Sequence, residues 1–381
     1  MTSMSEDCLD VIVIGAGQAG LAIGWHLRQQ EVRFLILDGA SEIGHSWRSR
    51  WDSLRLFTPA QFDNLPGMDF PAPPDTYPSK DQVADYLSAY ATQFQLPVLL
   101  SCTVVRLERD AGRFLVHTSQ GTLRTRQVVV ATGPFQRPVI PAVAAGLAPD
   151  VVQLHSADYR NPAQLPDGPV VVVGGGNSGL QIAAELAATR QVSVAVGADS
   201  LHLPQRILGR DLFWWLTRLG VITKTADSLL ARRMRSRGDL VIGSSTKALV
   251  RAGVRLHPRV VSTSADGLTF ADGTAGQAGA VIWATGFRSD YSWIDIPGVV
   301  REGEVEHQRG VTGVPGLFFL GLPWQHTRGS ALLGFVRHDA AWLADQLAAT
   351  TPELRDSGAG FEGRREEWSQ TTSSRPFGCR L

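Results

Sequence analysis

Two glycine clusters are the residues of this chain whose types and spacing point most directly to chemistry. Gly15, Gly17 and Gly20 stand in VIVIGAGQAGLAIGWHL, and Gly174, Gly176 and Gly179 repeat the G-x-G-x-x-G spacing in VVVVGGGNSGLQIAAEL, in register and without a gap. Each cluster follows a short apolar run and opens a segment of helical periodicity, the strand, turn and helix layout that grips a dinucleotide. In that layout the first glycine permits the tight turn, the second lets backbone approach a pyrophosphate, and the third lets helix and strand pack closely. The helix start then offers free N–H groups and a partial positive charge to the phosphates. Such a site needs no acid, base or nucleophile of its own, because the reacting atoms belong to the bound cofactor.

The two copies differ where the adenosine ribose would lie. Asp38 closes the apolar stretch RFLILD after the first cluster, where a carboxylate accepts both ribose hydroxyls. Counting onward by the same interval in the second copy leads to Gly197, with no Arg or Lys at 197 or 198 to attract a 2′-phosphate. Asp199 fits either a ribose contact or a simple turn. Other residues also carry two readings. His155 fits a cofactor-orienting role or the structural hydrogen bonding that single histidines more often serve. Trp214 and Trp215 fit a substrate cleft or one face of a packed helix. The basic run ARRMRSR, 231–237, fits a phosphate contact or a solvated helix face, with Arg206 and Arg210 as further cations nearby in sequence.

These residues must be positioned by regular elements. The apolar run from Leu9 to Ile14 reads as a buried strand, Leu21 to Arg28 as the helix after it, and RFLILD as a second strand. From Asp38 to about Lys80 periodicity fails, and HSWRSRWDSLRLFTPAQFDNLPGMDFPAPPDTYPS is dense in Trp, Arg, Phe and Pro. So long a loop is uncommon unless it serves a ligand. A helix over Lys80 to Gln93, alternating strands around Val104 to Val116 and a buried strand at Val128 to Gly133 follow. The second unit runs from Val170 to about Phe287, and both units end in an Ala-Thr-Gly tripeptide, Ala131-Thr132-Gly133 and Ala284-Thr285-Gly286. A strand GLFFLG and a helix from about Ser330 to Ala349 return to complete the first unit, and the polar residues from Thr351 onward read as a surface tail. A helix starting near Ser330 would aim its positive end at whatever precedes it.

The 381 residues suffice for two domains, and 36 basic against 36 acidic residues give a net charge of +0. That balance gives no reason to expect nucleic acid or an anionic membrane as partner. Three cysteines, Cys8, Cys102 and Cys379, stand far apart without a CxxC, against a disulfide framework, a metal site or a redox dithiol. No secretory layout opens the chain and no apolar run reaches spanning length, so a soluble cytoplasmic protein is expected.

The ordered set GAGQAG, WRSRWDSLRLFTP, LHSADYRNP, GGGNSG, ATGF and GLFFLGLPW…RGSALLGF resembles the flavin-containing monooxygenases of the class B flavoprotein group. Among them it is most similar to the short bacterial CzcO-like members and the plant YUCCA enzymes, from about Leu9 to Ala349. The resemblance implies an α/β fold of two Rossmann-like dinucleotide-binding domains, an FAD domain interrupted by an inserted NAD(P)H domain. Its boundaries would be 1–160 and 289–350 for FAD, 165–288 for NAD(P)H, and 351–381 for the tail. It assigns Gly15, Gly17 and Gly20 to the FAD pyrophosphate, Asp38 to its ribose, and Trp47 and Arg48 to positions along the flavin. Gln18, Ala19, Gly39, Thr132, Gly133, Gly174, Gly176, Asn177, Ser178, Gly179, Thr285, Gly286 and Leu332 complete the cofactor-binding set, the second glycine cluster holding NAD(P)H, and Trp47, Thr58 and Asn177 are the candidates beside the flavin. The family fingerprint FxGxxxHxxx(Y/F) survives here as His155 and Tyr159, with Pro149 and Val151 at its first positions, and Thr58-Pro59 stands where many members carry asparagine.

The implied activity is that of a monooxygenase. NAD(P)H reduces FAD, O2 adds to form a C4a-(hydro)peroxyflavin, and one oxygen atom passes to a small organic substrate, S- or N-oxygenation being the expected outcome. An NAD(P)H:acceptor oxidoreductase or oxidase without oxygenation, and a non-catalytic flavin-binding regulator, are the alternative classes. The expected partners are a small-molecule substrate and O2, with no nucleic acid and no membrane, and a homodimer is compatible with the chain. With neither acid nor cation at 197 and 198, both NADH and NADPH should be accepted, with a selectivity of about tenfold.

Overall fold

The computed structural model describes residues 9–197, 201–235, 240–265 and 267–356. Asp199, Cys8, Cys379, the end of the basic run and most of the tail lie outside them. Two sheets organise the chain, a mixed nine-stranded sheet with a parallel centre and a parallel five-stranded sheet. In the first, β1 (Leu9–Ile14) lies between β2 (Phe34–Leu37) and β4 (Gly121–Val130), with β3 (Val98–Leu99) beyond β2. The second sheet contains β5 (Val152–His155), β6 (Val170–Val173), β7 (Val192–Val196), β8 (Arg255–Pro258) and β9 (Ala280–Trp283), in the order β8-β7-β6-β9-β5, all parallel. The late strand β10 (Leu317–Phe319) returns to the first sheet and pairs with β4. Val11 to Ile14 and Val170 to Val173 are buried throughout, as strands covered on both faces must be, and so read as unbroken apolar runs.

The helix α1 (Gln18–Gln29) follows β1, and α2 (Lys80–Gln93) begins at a capping box in which Ser79 and Gln82 satisfy each other's backbone N–H groups. In the second unit α3 (Asn177–Leu186) follows β6 and α4 (Leu212–Arg218) is capped by Asp211. The last helix, α5 (Val336–Asp356), packs on α1, its Val336, Ala340, Leu343 and Leu347 sharing a core with Leu21, Ile23 and Leu27. The chain thus leaves the first sheet, builds the second and returns.

Two boundaries differ from expectation. The final helix begins at Val336, not Ser330. The Ser330 hydroxyl accepts from the N–H groups of His326 and Thr327, at 3.1 and 3.0 Å, a local bond that competes with a helical start. Gly334 also packs so tightly that a Cβ there would lie 2.1 Å from the Phe62 carbonyl oxygen. Leu332 therefore sits in a turn ahead of the helix. Residues 152–155, which a boundary at 160 assigns to the first unit, form β5 of the second sheet, so the crossover lies earlier, where Arg137–Pro138 pairs with Phe287–Arg288.

The long loop after Asp38 straps one unit to the other. The N–H of Asp52 donates to the Arg160 carbonyl, and Gln181 Nε2 donates to that of Arg55, at 2.8 and 3.2 Å. Tyr77 and Gln205 both donate to the buried Asp211 carboxylate, Gln205 also bonding the Phe57 carbonyl. No helix among the described residues is long and apolar enough to cross a membrane.

Candidate functional site

The glycine turns lie at the carboxyl ends of β1 and β6, where open α/β sheets bind ligands. In each turn two of the three glycines are required by the protein itself. Gly15 has φ +110° and a Cβ there would lie 2.5 Å from the Ala131 carbonyl oxygen. At Gly20 it would lie 1.8 Å from that of Gly15. Gly174 repeats this against Ala284, at 2.2 Å, and Gly179 against Gly174, at 2.1 Å. The alanines opening the two Ala-Thr-Gly tripeptides are therefore the floors on which the glycine turns sit.

The middle glycines behave differently. A Cβ on Gly17 or Gly176 would meet no protein atom within 4 Å. Each is the N-cap of a helix that no side chain caps. Bare backbone, open space and uncapped N–H groups at the start of a 12-residue and a 10-residue helix make two cradles for an anion. Gly133 and Gly286, where a Cβ would also face open space, end the tripeptides beside them. Gly321 brings the return segment against the first turn, since a Cβ there would lie 2.9 Å from that of Ala19.

Asp38 follows β2 as expected. Its Oδ2 accepts from the Ala16 N–H at 2.6 Å and its Oδ1 from the Ala40 N–H at 2.8 Å, so it also braces the turn. Gly39 packs against Thr103, and Gln18 and Ser178 are half-buried on the first turns of their helices. The hydroxyl of Thr132 accepts from Gln136 and that of Thr285 donates to the Val139 carbonyl, bracing the crossover.

Several side chains are turned elsewhere. Asn177 uses its whole amide on one segment, Nδ2 donating to the Leu240 carbonyl and Oδ1 accepting from the Ile242 N–H, both at 3.0 Å. The Arg48 guanidinium faces Asp85, Glu42 and Asp81, at 2.9, 3.3 and 3.8 Å, and braces the loop to α2. Trp47, half-buried, packs against the cores of both units. Phe213, not Trp214 or Trp215, points inward from α4: it packs with Phe57, Phe62 and Phe335 at ring distances of 6.0–6.3 Å. Leu332 packs against this aromatic enclosure, where loop, second unit and return segment meet. Arg206 pairs with Asp75, and Arg210 lies over the Trp214 ring.

His155 has a structural role. Its Nδ1 accepts from the Ala157 N–H at 3.1 Å, which assigns the ring proton to Nε2, and Nε2 donates to the Gly286 carbonyl at 3.0 Å. Burial lowers its pKa, so the neutral ring steadies the second tripeptide.

Three residues escaped the sequence reading. Arg50 lies over the rings of Phe135 and Phe287, at 5.3 and 5.2 Å, which follow the two tripeptides, and burial followed by Arg160 depresses its pKa. Asp63 is buried beside the aromatic enclosure. Thr58 Oγ1 donates to its Oδ1 at 2.6 Å, its Oδ2 has no partner among the described residues, and burial pushes its pKa up to about 8. Arg259 reaches Gly197 from the neighbouring strand, its Nη2 donating to the Gly197 carbonyl at 3.2 Å. No local signal marks any of them, because their partners or their burial come from distant segments.

Twin dinucleotide-type turns at the ends of parallel strands, one in each of two sheets and bridged by an aromatic loop, define an α/β protein with two Rossmann-like dinucleotide-binding units. Residues 12–205 match the model of the pyridine nucleotide-disulphide oxidoreductase family. An uncharacterized CzcO-like oxidoreductase of Geobacillus kaustophilus is 47% identical over 90% of this chain and 99% of its own length. The indole-3-pyruvate monooxygenase YUCCA4 of Oryza sativa subsp. japonica is 30% identical over 87% of this chain and 84% of its own. Among solved structures, a flavin-containing monooxygenase from Stenotrophomonas maltophilia superposes with TM-score 0.76 at 31% identity, covering 90% of this chain and 99% of that one. The chain belongs to the pyridine nucleotide-disulphide oxidoreductase family and, within it, to the flavin-containing monooxygenases.

Proposed function

We propose that the protein binds FAD at the first turn and NAD(P)H at the second, and oxygenates a small sulfide or amine with O2. FAD would belong to the unit built from the first sheet and its returning strand, and NAD(P)H to the inserted unit. The observation that carries the reading is the pair of open middle glycines, Gly17 and Gly176, beside uncapped helix starts. The residues fit the two groups: pyrophosphate on the bare N–H groups of each turn, and the flavin adenosine ribose on Asp38. When bound, the flavin supplies the redox and oxygen-transfer chemistry.

The chain's own residues supply position and dryness. Phe57, Phe62, Phe213 and Phe335 exclude water, and the buried Asp63 holds a proton on its carboxyl at neutral pH. Arg50 places a cation between the two tripeptides, and His155 holds the second of them in place.

The deciding experiment is mass-spectrometric incorporation of labelled dioxygen into a panel of sulfides, amines and ketones. Label in a sulfoxide or N-oxide supports the proposal. Hydrogen peroxide released in proportion to NAD(P)H consumed, with no labelled product, would replace it with an oxidase. An Asp38→Ala variant should lose FAD on dialysis at least tenfold faster than wild type, since a charge-assisted contact is worth about 1.5–3 kcal/mol. Unchanged FAD retention, read from absorbance after gel filtration, would reduce Asp38 to its bonds with Ala16 and Ala40.

A further inference from the structure

We propose that the hairpin of Arg206–Ile207 and Arg210–Asp211, together with the outer face of α4, docks on an anionic lipid surface. The two short strands pair antiparallel, and Leu208 and Gly209 between them have φ of 48° and 75°. Two positive φ angles make the type I′ turn, for which asparagine followed by glycine is the fitting pair. A leucine held in that conformation is strained, and this one is also 87% exposed. Folding gains nothing from it; a contact outside the chain would.

The apolar surface continues from the hairpin tip onto the helix. Trp215 Nε1 donates to the Ile207 carbonyl at 3.0 Å, which seats the indole against the hairpin, and Leu219, one helical turn on and 66% exposed, extends the same face. Trp214 meets Trp215 at a ring distance of 4.7 Å and lies under the Arg210 guanidinium. Leu212 and Phe213 are buried on the other side, in the core that includes Phe57, Phe62 and Phe335. Charge selects the occupant of the outer ridge. Residues 201–224 hold Arg206, Arg210, Arg218 and Lys224, all exposed, against Asp211 as their one acid. Asp211 is buried and bonded to Tyr77, Gln205 and the Phe213 N–H, and Asp75 approaches Arg206 at 3.9 Å. The neutral total of the chain, which gives no reason to expect an anionic membrane, conceals this local excess of positive charge. Exposed aliphatic side chains with tryptophans beside them and cations around them suit the headgroup boundary of an anionic bilayer. Two-fold pairing with a second copy would set these cations against one another.

Co-sedimentation of the full-length protein with vesicles tests this. Wild type should bind phosphatidylcholine vesicles that contain phosphatidylserine at least about tenfold more tightly than phosphatidylcholine alone, and raised salt should release it. Leu208→Asn supplies the asparagine that a type I′ turn favours, so Tm should hold or rise while affinity for the mixed vesicles falls at least about tenfold with the loss of one buried leucine. Arg218→Glu should cut the preference for phosphatidylserine at least about tenfold, again at unchanged Tm. Wild-type protein that stays in the supernatant with both vesicles, or a Leu208→Asn protein that pellets as wild type does, overturns the proposal. Sedimentation velocity covers the competing occupant: a dimer that forms without lipid and that Leu208→Asn dissolves assigns the ridge to a second copy and overturns it as well.

Discussion

A Gly176→Val protein should fold, retain FAD and yet accept hydride from NADPH or NADH at least about a hundredfold more slowly than wild type. Folding is preserved because Gly176 has φ −79° and ψ 178°, extended backbone that valine adopts readily, and because its Cβ would meet no protein atom within 4 Å. The helix start loses little, since no side chain caps it now. What the valine fills is the space through which a pyrophosphate reaches the bare N–H groups, and a displacement of an ångström or so at such a site costs about two orders of magnitude in rate. Anaerobic stopped-flow reduction gives the rate, and flavin absorbance and Tm serve as controls. Gly179→Ala provides the contrast, because its Cβ would lie 2.1 Å from the Gly174 carbonyl oxygen and should cost folding itself. Normal reduction in the valine variant would mean that no cofactor approaches this turn; simultaneous loss of FAD would mean that the two sites are assigned in reverse or fold as one.

Asp63→Asn should produce the largest change in how stability depends on pH. Burial holds the Asp63 carboxyl at about 8, far above the ordinary carboxylate range, so between about pH 4 and 8 the folded protein keeps a proton that the unfolded chain has released. Wild-type stability from this group is complete below about pH 4 and is lost as pH rises toward 8. Asparagine has the same shape, accepts from Thr58 and does not titrate. Denaturant unfolding at pH 5, 6, 7 and 8 should therefore show the variant gaining on wild type at each step, with a total on the order of 5 kcal/mol across the full window. A difference that stays flat with pH would mean that Asp63 is ionised in the folded protein. A variant that also fails to transfer labelled oxygen, at unchanged flavin reduction, would tie the proton to the chemistry.

The glycine turns were legible because their requirements are local. The clash of Gly20 with Gly15, and of Gly179 with Gly174, is built within six residues of chain, so spacing alone reports it. The apolar runs of β1 and β6 were equally plain, since a strand buried on both faces needs apolar side chains at every position. Helix α2 was legible to the residue, because a capping box and an amphipathic pattern are both written in consecutive positions. The last helix was misplaced at its start, because the turn at Ser330 and the fit of Gly334 against Phe62 depend on a loop far away in sequence.

The sequence by itself determined the two nucleotide-type turns and the parallel strands that carry them, since these follow from contacts between neighbours in the chain and from unbroken apolar strands, while its ordered set of motifs carried the family resemblance. Only the tertiary structure decided which side chains face the sites. It turned Asn177 toward Leu240 and Ile242 and Arg48 toward an acid cluster, and set Arg50 between Phe135 and Phe287. It also buried Asp63 and laid Arg259 across Gly197. The reason is that strand register and the packing of the long loop bring together residues dozens to hundreds of positions apart. A side chain's charge partner, and the water it loses, are properties of that assembly, not of its neighbours in the chain.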